Sequence, residues 1–138
     1  MKLNAQWVTG FVDGEGCFHV GITRHKDMFA GYQVLPEFTV VQHKRDIALL
    51  YALKEYFGTG VVRTNHGDRM AYRVRNKKHL MEIVVPFFVK HPLQSCKKLE
   101  FEYFSRVLIM MSKQEHLTLT GLEKIRKISK QMNRGRLR

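Results

Sequence analysis

The chain has 138 residues, room for one domain with its own core, and 24 Lys and Arg set against 12 Asp and Glu give it a net charge of +12. That excess points to a polyanionic partner, nucleic acid first, and a hydrophobic share of 44% is that of a globular protein rather than a basic tail. No segment is long and apolar enough for a membrane span, and Cys17 and Cys96 show neither a pairing pattern nor zinc spacing. Met1-Lys2-Leu3 runs straight into the first predicted helix with no signal peptide, so the expected setting is intracellular and reducing, not secreted. Charge alone leaves a basic RNA-associated protein open.

The first helix is predicted to start at Asn4, a good N-cap, and to carry Trp7, Val8, Phe11 and Val12 at helical spacing. Gly10 and Gly14 are four apart and leave one face bare, so a second helix can approach closely. The helix stops at Gly16, just after Glu15. A carboxylate there meets the negative end of the helix dipole and is unfavourable without a cation. Glu15, carbonyls nearby such as that of Gly14, and water together suit a hard divalent ion that needs few protein ligands. The same residues also fit a plain glycine-rich helix stop with solvated acids.

Cys17 to Thr23 alternates, with Phe18, Val20 and Ile22 on one face and His19, Gly21 and Thr23, extended by His25, on the other. After a basic turn, a second strand is expected over 33–42, with Val34, Phe38 and Val40 inward and Gln33, Leu35, Glu37 and Thr39 outward. Pro36 is either inward-facing or an edge irregularity. Asp46 is the expected cap of a helix carrying Ile47, Leu49, Leu50, Leu53 and Phe57 and ending near Gly58. A hairpin follows, Val61 to Asn65 and Met70 to Arg75, turning at His66-Gly67-Asp68. Arg63 and Asn65 share a face, and Arg73 and Arg75 lie opposite the inner Tyr72 and Val74. A helix over 77–89 is expected to break at Pro86. A longer one carries Leu99, Phe101, Phe104, Val107, Leu108 and Met111, and a last one runs from Leu117-Thr118 through Ile125 and Ile128. Residues 1–132 form the expected domain and 133–138 a basic tail. The fold class is α+β in the order αββαββα, an antiparallel sheet with helices on one face and an open face that is polar and basic. Those open positions fit groove reading and plain solvation equally well.

The stretch Val8-Thr9-Gly10-Phe11-Val12-Asp13-Gly14-Glu15-Gly16 resembles the signature of the LAGLIDADG homing endonucleases, in the variant close to AGFVDGEG. Val8 stands for the first Leu, Thr9 for the Ala, Phe11 for the second Leu and Glu15 for the last acid. The resemblance implies an intron-encoded endonuclease that hydrolyses DNA phosphodiesters with Mg2+ or Mn2+, Ca2+ supporting binding without cleavage. With one motif copy it implies the homodimeric branch, the motif helices meeting through Trp7, Thr9, Gly10, Asp13 and Gly14. It implies a sheet saddle on double-stranded DNA, contacting it through His19, Thr23, His25, Gln33, Leu35, Glu37, Thr39, Arg63, Asn65, Arg73 and Arg75. Phe38-Thr39-Val40-Val41-Gln42 matches a family Phe-x-Val-x-Gln setting whose Gln organises water at the metal. The segment from Phe87 to Lys98 looks like the family stretch bearing a phosphate-facing Lys, here Lys97 with Lys98 in reserve. Where some relatives carry an Arg, this chain has Asp46, which leaves Lys44 or Arg45 to supply that charge. The implied sites of action are an organelle, chloroplast or mitochondrion, or a prokaryotic cytoplasm. The alternative within the family is a maturase that binds its own intron RNA, with basic surface from Lys124 onward.

Overall fold

The computed structural model describes residues 1–133, and the remainder of the expected tail, 134–138, lies outside the described residues. The elements are α1 (Ala5–Glu15), β1 (Gly16–Arg24), β2 (Tyr32–His43), α2 (Ile47–Phe57), β3 (Val61–His66), β4 (Arg69–Val74), α3 (Lys77–His79), a π turn (Leu80–Val84), α4 (Val85–Lys90), α5 (Lys97–Ser112) and α6 (Leu119–Gln131). The strands form one antiparallel sheet in the order β1-β2-β4-β3. This is the expected α+β architecture. No helix among the described residues is long and apolar enough to cross a membrane.

Alternation fixes the inner face. Phe18, Val20, Val34, Phe38, Val40, Tyr72 and Val74 are all buried. Phe18 stacks on Phe38 and meets Phe88, Phe101 and Phe104, so one ring joins two strands to two helices. Leu50 and Leu53 of α2, Phe88 of α4, Phe104 and Val107 of α5 and Ile125 of α6 complete the core on this side only. The Tyr72 hydroxyl donates to the Thr59 carbonyl at 2.9 Å, and burial pushes its pKa up. Pro36 is buried on the inner face. Pairing between β2 and β4 begins only at Phe38, so at Pro36 the strand needs hydrogen bonds on one side alone.

Three local expectations are corrected. Pro86 does not break its helix: the chain stays helical from α3 through α4 because the turn before Pro86 widens, the Val85 N–H reaching the Leu80 carbonyl. That π turn makes room for a ring that would crowd a regular α-helix. Asp46 makes no side-chain cap. The His43 Nδ1 instead accepts from the Arg45 N–H at 3.1 Å, and the Lys44 Nζ pairs with Asp68 at 3.2 Å. Leu99 is 51% exposed, because it lies two residues before Phe101 and hence on the opposite side of α5. At the tail, Asn133 is tied down: its N–H donates to Glu100 at 2.6 Å and its side-chain amide to the Phe18 carbonyl at 3.1 Å.

Candidate active site and nucleic-acid interface

Asn4 caps α1, its Oδ1 accepting from the Trp7 N–H at 2.9 Å, and Val8 and Val12 anchor the helix in the core. The chain passes from Glu15 directly into β1, where Gly16 pairs with Val40. Gln42 is two residues beyond Val40 on β2, which sets it level with the end of α1. The Glu15 carboxylate is exposed and makes no hydrogen bond or ion pair among the described residues. A Cβ added at Gly14 would meet nothing within 4 Å, so the end of α1 is open to approach. Negative helix-end carbonyls and an unpaired carboxylate together favour a cation.

Among the described residues no three His, Cys, Asp or Glu come together as a metal cage. An ion here would be held by Glu15, a carbonyl such as that of Gly14, water and phosphate oxygens. That oxygen-rich, ligand-poor set suits Mg2+, which keeps several of its waters.

Lys97 opens α5 and is 8% exposed, while Lys98 is exposed. Their difference is a matter of helical phase. Lys97 is four residues before Phe101 and shares its core-facing side, a signal present in the sequence. Its backbone N–H donates to the Ser95 hydroxyl that bonds Asp13 of α1, so the start of α5 lies at the same end of the molecule as Glu15. The end of α1 thus lies level with the end of β2 and is bonded to the start of α5.

Asp13, expected at a subunit contact, is engaged within its own chain. Its carboxylate accepts from the Gln94 N–H at 2.9 Å, the Ser95 N–H at 2.9 Å and the Ser95 hydroxyl at 2.7 Å. Burial raises its pKa, but these bonds and Lys97 outweigh it and hold the carboxyl below its ordinary value. Thr9 is also turned inward, its hydroxyl donating to the Ala5 carbonyl at 2.8 Å. What α1 leaves bare is a strip of Gln6, Trp7, Gly10 and Gly14, with Trp7 stacked on Phe11 at 4.8 Å. An added Cβ at Gly10 meets nothing within 4 Å.

The outer sheet face carries the expected polar set in register. His19 stands across from Glu37, Gly21 from Leu35, Thr23 from Gln33, and Thr39 from Arg73. Arg63 pairs with Ala71 on the outermost strand, and the register slips between Thr64 and His66, leaving Asn65 at an irregularity. His25 sits in the β1–β2 turn, where its Nδ1 accepts from the Asp27 N–H at 3.3 Å. Arg63, Arg73 and Arg75 line one concavity at the β3–β4 end with Asn76 and His79.

Glu37 is the acid within this face. It accepts from the Thr39 hydroxyl and from the Arg75 Nε at 2.6 Å. Burial works against its charge, but the two donors win and hold its pKa below the ordinary 4.5. A lowered carboxylate pKa contributes stability that is present above the unfolded value and lost as pH falls through the folded one. Glu37→Gln is therefore expected to cost about 1–2 kcal/mol at neutral pH. The gap from wild type should shrink in urea melts taken progressively below pH 4.5. A gap that stays constant down to pH 3 would contradict the charged pairing.

The sequence profile of the LAGLIDADG endonuclease family matches residues 8–108. The chain belongs to that family. Its relatives include probable intron-encoded endonuclease 2 of Neurospora crassa, 30% identical over 135 residues that cover 96% of this chain and 30% of that protein. The crystal structure of the homing endonuclease I-TnaI is 57% identical with a TM-score of 0.95, covering 99% of this chain and 92% of that one. I-SmaMI bound to uncleaved DNA target in the presence of calcium ions is 36% identical with a TM-score of 0.94, over 99% of this chain and 47% of that one. The chain spans only about a quarter to a third of the length of the first curated relatives it matches.

Proposed function

We propose that this chain is a site-specific, divalent-metal-dependent DNA endonuclease of the intron-encoded homing type. The observation that carries this reading is the unpaired Glu15 at the open end of α1, level with Gln42 and two residues after the Asp13 that ties α1 to the start of α5, next to a sheet face that is open and basic. Phosphodiester hydrolysis needs water in line with the leaving oxygen and a site that neutralises growing negative charge. A bound Mg2+ or Mn2+ would supply Lewis acidity and an acidified water. Glu15 would hold that ion, the Gln42 amide would orient the attacking water, and the Lys97 ammonium would stabilise the anionic transition state. No nucleophilic side chain is required.

The bare strip on α1 supports a homodimer in which two motif helices cross at Gly10 and Gly14, setting two Glu15 carboxylates near a two-fold axis. Such a dimer cuts both strands of a long pseudo-palindromic site. Double-stranded DNA on the outer face would meet His19, Thr23, Gln33, Leu35, Glu37, Thr39 and Arg73 in the sheet, with His25, Arg63, Asn65 and Arg75 at its margins. Intron-encoded relatives favour an intracellular setting, in an organelle or a prokaryotic cell. A maturase role has one observation of its own. Lys124, Lys127 and Lys130 are exposed on α6, on the helical side away from the open sheet face, where RNA could bind separately.

Selection from randomised duplexes in Ca2+ tests the binding reading. It should return one near-palindromic family. Three outer-face arginines in each of two subunits, each meeting one phosphate, give a slope of log K against log salt of roughly −5. A flat salt response, or no sequence enrichment, would overturn it.

A further inference from the structure

The link between the motif helix and the start of α5 is built from one carboxylate. Asp13 accepts from two consecutive backbone N–H groups, Gln94 and Ser95, and from the Ser95 hydroxyl. The Ser95 oxygen in turn accepts from the Lys97 N–H at 3.2 Å. The next bonds of the turn, Lys98 N–H to the Ser95 carbonyl at 3.0 Å and Leu99 N–H to the Cys96 carbonyl at 3.1 Å, start α5 itself. Cys96, at the N-cap position, makes no side-chain cap. The role that a cap would play is filled from 81 to 82 residues away in sequence, by the residue two before Glu15. Lys97 is held at 8% exposure on the core-facing side of α5, so its ammonium cannot find its position by free rotation of a surface chain.

We propose that Asp13 is a positioning residue for Lys97. Through Ser95 it fixes the first turn of α5 to α1, so that the Glu15 carboxylate and the Lys97 ammonium are presented to one phosphate as parts of a single rigid body. Asp13 itself does not touch substrate, because both of its oxygens are taken up by Gln94 and Ser95. The inference rests on the endonuclease reading above and deepens it. It makes a geometric claim: an ammonium displaced by about an ångström forfeits its share of the rate while DNA binding, which is spread over the sheet, persists.

The test uses the full chain and the duplex recovered by Ca2+ selection. Asp13→Asn should lower the single-turnover cleavage rate in Mg2+ by roughly 10–100-fold while the duplex Kd changes by less than about threefold. Ser95→Ala should act in the same direction more weakly. Neither should lower the rate further in a Lys97→Ala background. Unchanged rates, equal losses in both backgrounds, or a Lys97→Ala variant that cuts like wild type would each overturn the proposal. Ser95→Ala removes one exposed hydroxyl and keeps the test alive if Asp13→Asn does not fold. Amide exchange across residues 93–100 needs no cleavage and should quicken at least about tenfold in both variants. Unchanged exchange overturns the tie. A wild type that binds but does not cut removes the endonuclease reading, and exchange then decides the tie alone. A wild type that cuts beside an inert Asp13→Asn removes only this inference.

Discussion

Glu15→Gln should abolish cleavage while leaving both fold and DNA binding in place. Glu15 is the acid that α1 presents at its open end, and no group of its own chain among the described residues neutralises it. In the proposed mechanism, removing its charge removes the anchor of a divalent ion, whose contribution to transition-state stabilisation would be several kcal/mol. The single-turnover rate in Mg2+ should therefore fall on the order of 10³-fold or more. Stability should move the other way. A carboxylate at a helix C-terminus is in an unfavourable field, so Gln at this position should melt no lower than wild type, and slightly higher at low salt. Binding in Ca2+ should lose much less than cleavage, because the sheet contacts are untouched. The pairing of outcomes matters: a loss of rate with a loss of fold would make Glu15 structural, and an unchanged rate would move the chemistry elsewhere.

Gly10→Leu should separate the subunits without unfolding them. The added side chain meets open space within its own chain, since a Cβ at Gly10 finds no atom within 4 Å. Replacing an interior helical glycine by leucine even favours the monomer, by about 0.5–1 kcal/mol. Across a two-fold crossing the same side chain appears twice where two backbones should touch. Overpacking of about 1–3 kcal/mol per site then weakens the dimer by roughly 30- to 10⁴-fold. Sedimentation should show a folded monomer at concentrations where the wild type forms the proposed dimer, and double-strand cleavage should fall with it. Unchanged dimers would place the contact away from this strip. Thr9 and Asp13, both committed within the chain, should contribute little across the crossing beyond their backbone.

Much of this was legible in residue order because it is local. Asn4 caps α1, Phe18, Val20, Phe38, Val40, Tyr72 and Val74 alternate inward, and Gly58 ends α2 in the left-handed region at φ 71°. These follow from period and from backbone freedom. Pro86 was misleading because the rule that proline breaks a helix assumes regular α geometry, and one π turn removes the clash. Hydrophobicity alone points Leu99 inward, but helical phase turns it to solvent. The same phase, counted back from Phe101, separates Lys97 from Lys98. The bonds that sequence reading could not supply are long-range. Asp13 with Ser95, Glu37 with Arg75 and Asn133 with Glu100 each join partners whose separation carries no local pattern. Asp13 accordingly read as a motif residue bound for a partner helix, and its grip on α5 emerged only from the fold.

The most direct test of the central claim is to add Mg2+ to the protein bound to its selected duplex and map the cut positions on both strands. Two cuts related by the pseudo-dyad of the site, absent in EDTA and absent with Glu15→Gln, are the predicted result. Binding without any cut in Mg2+ or Mn2+, or scattered nicks unrelated to the dyad, would contradict it.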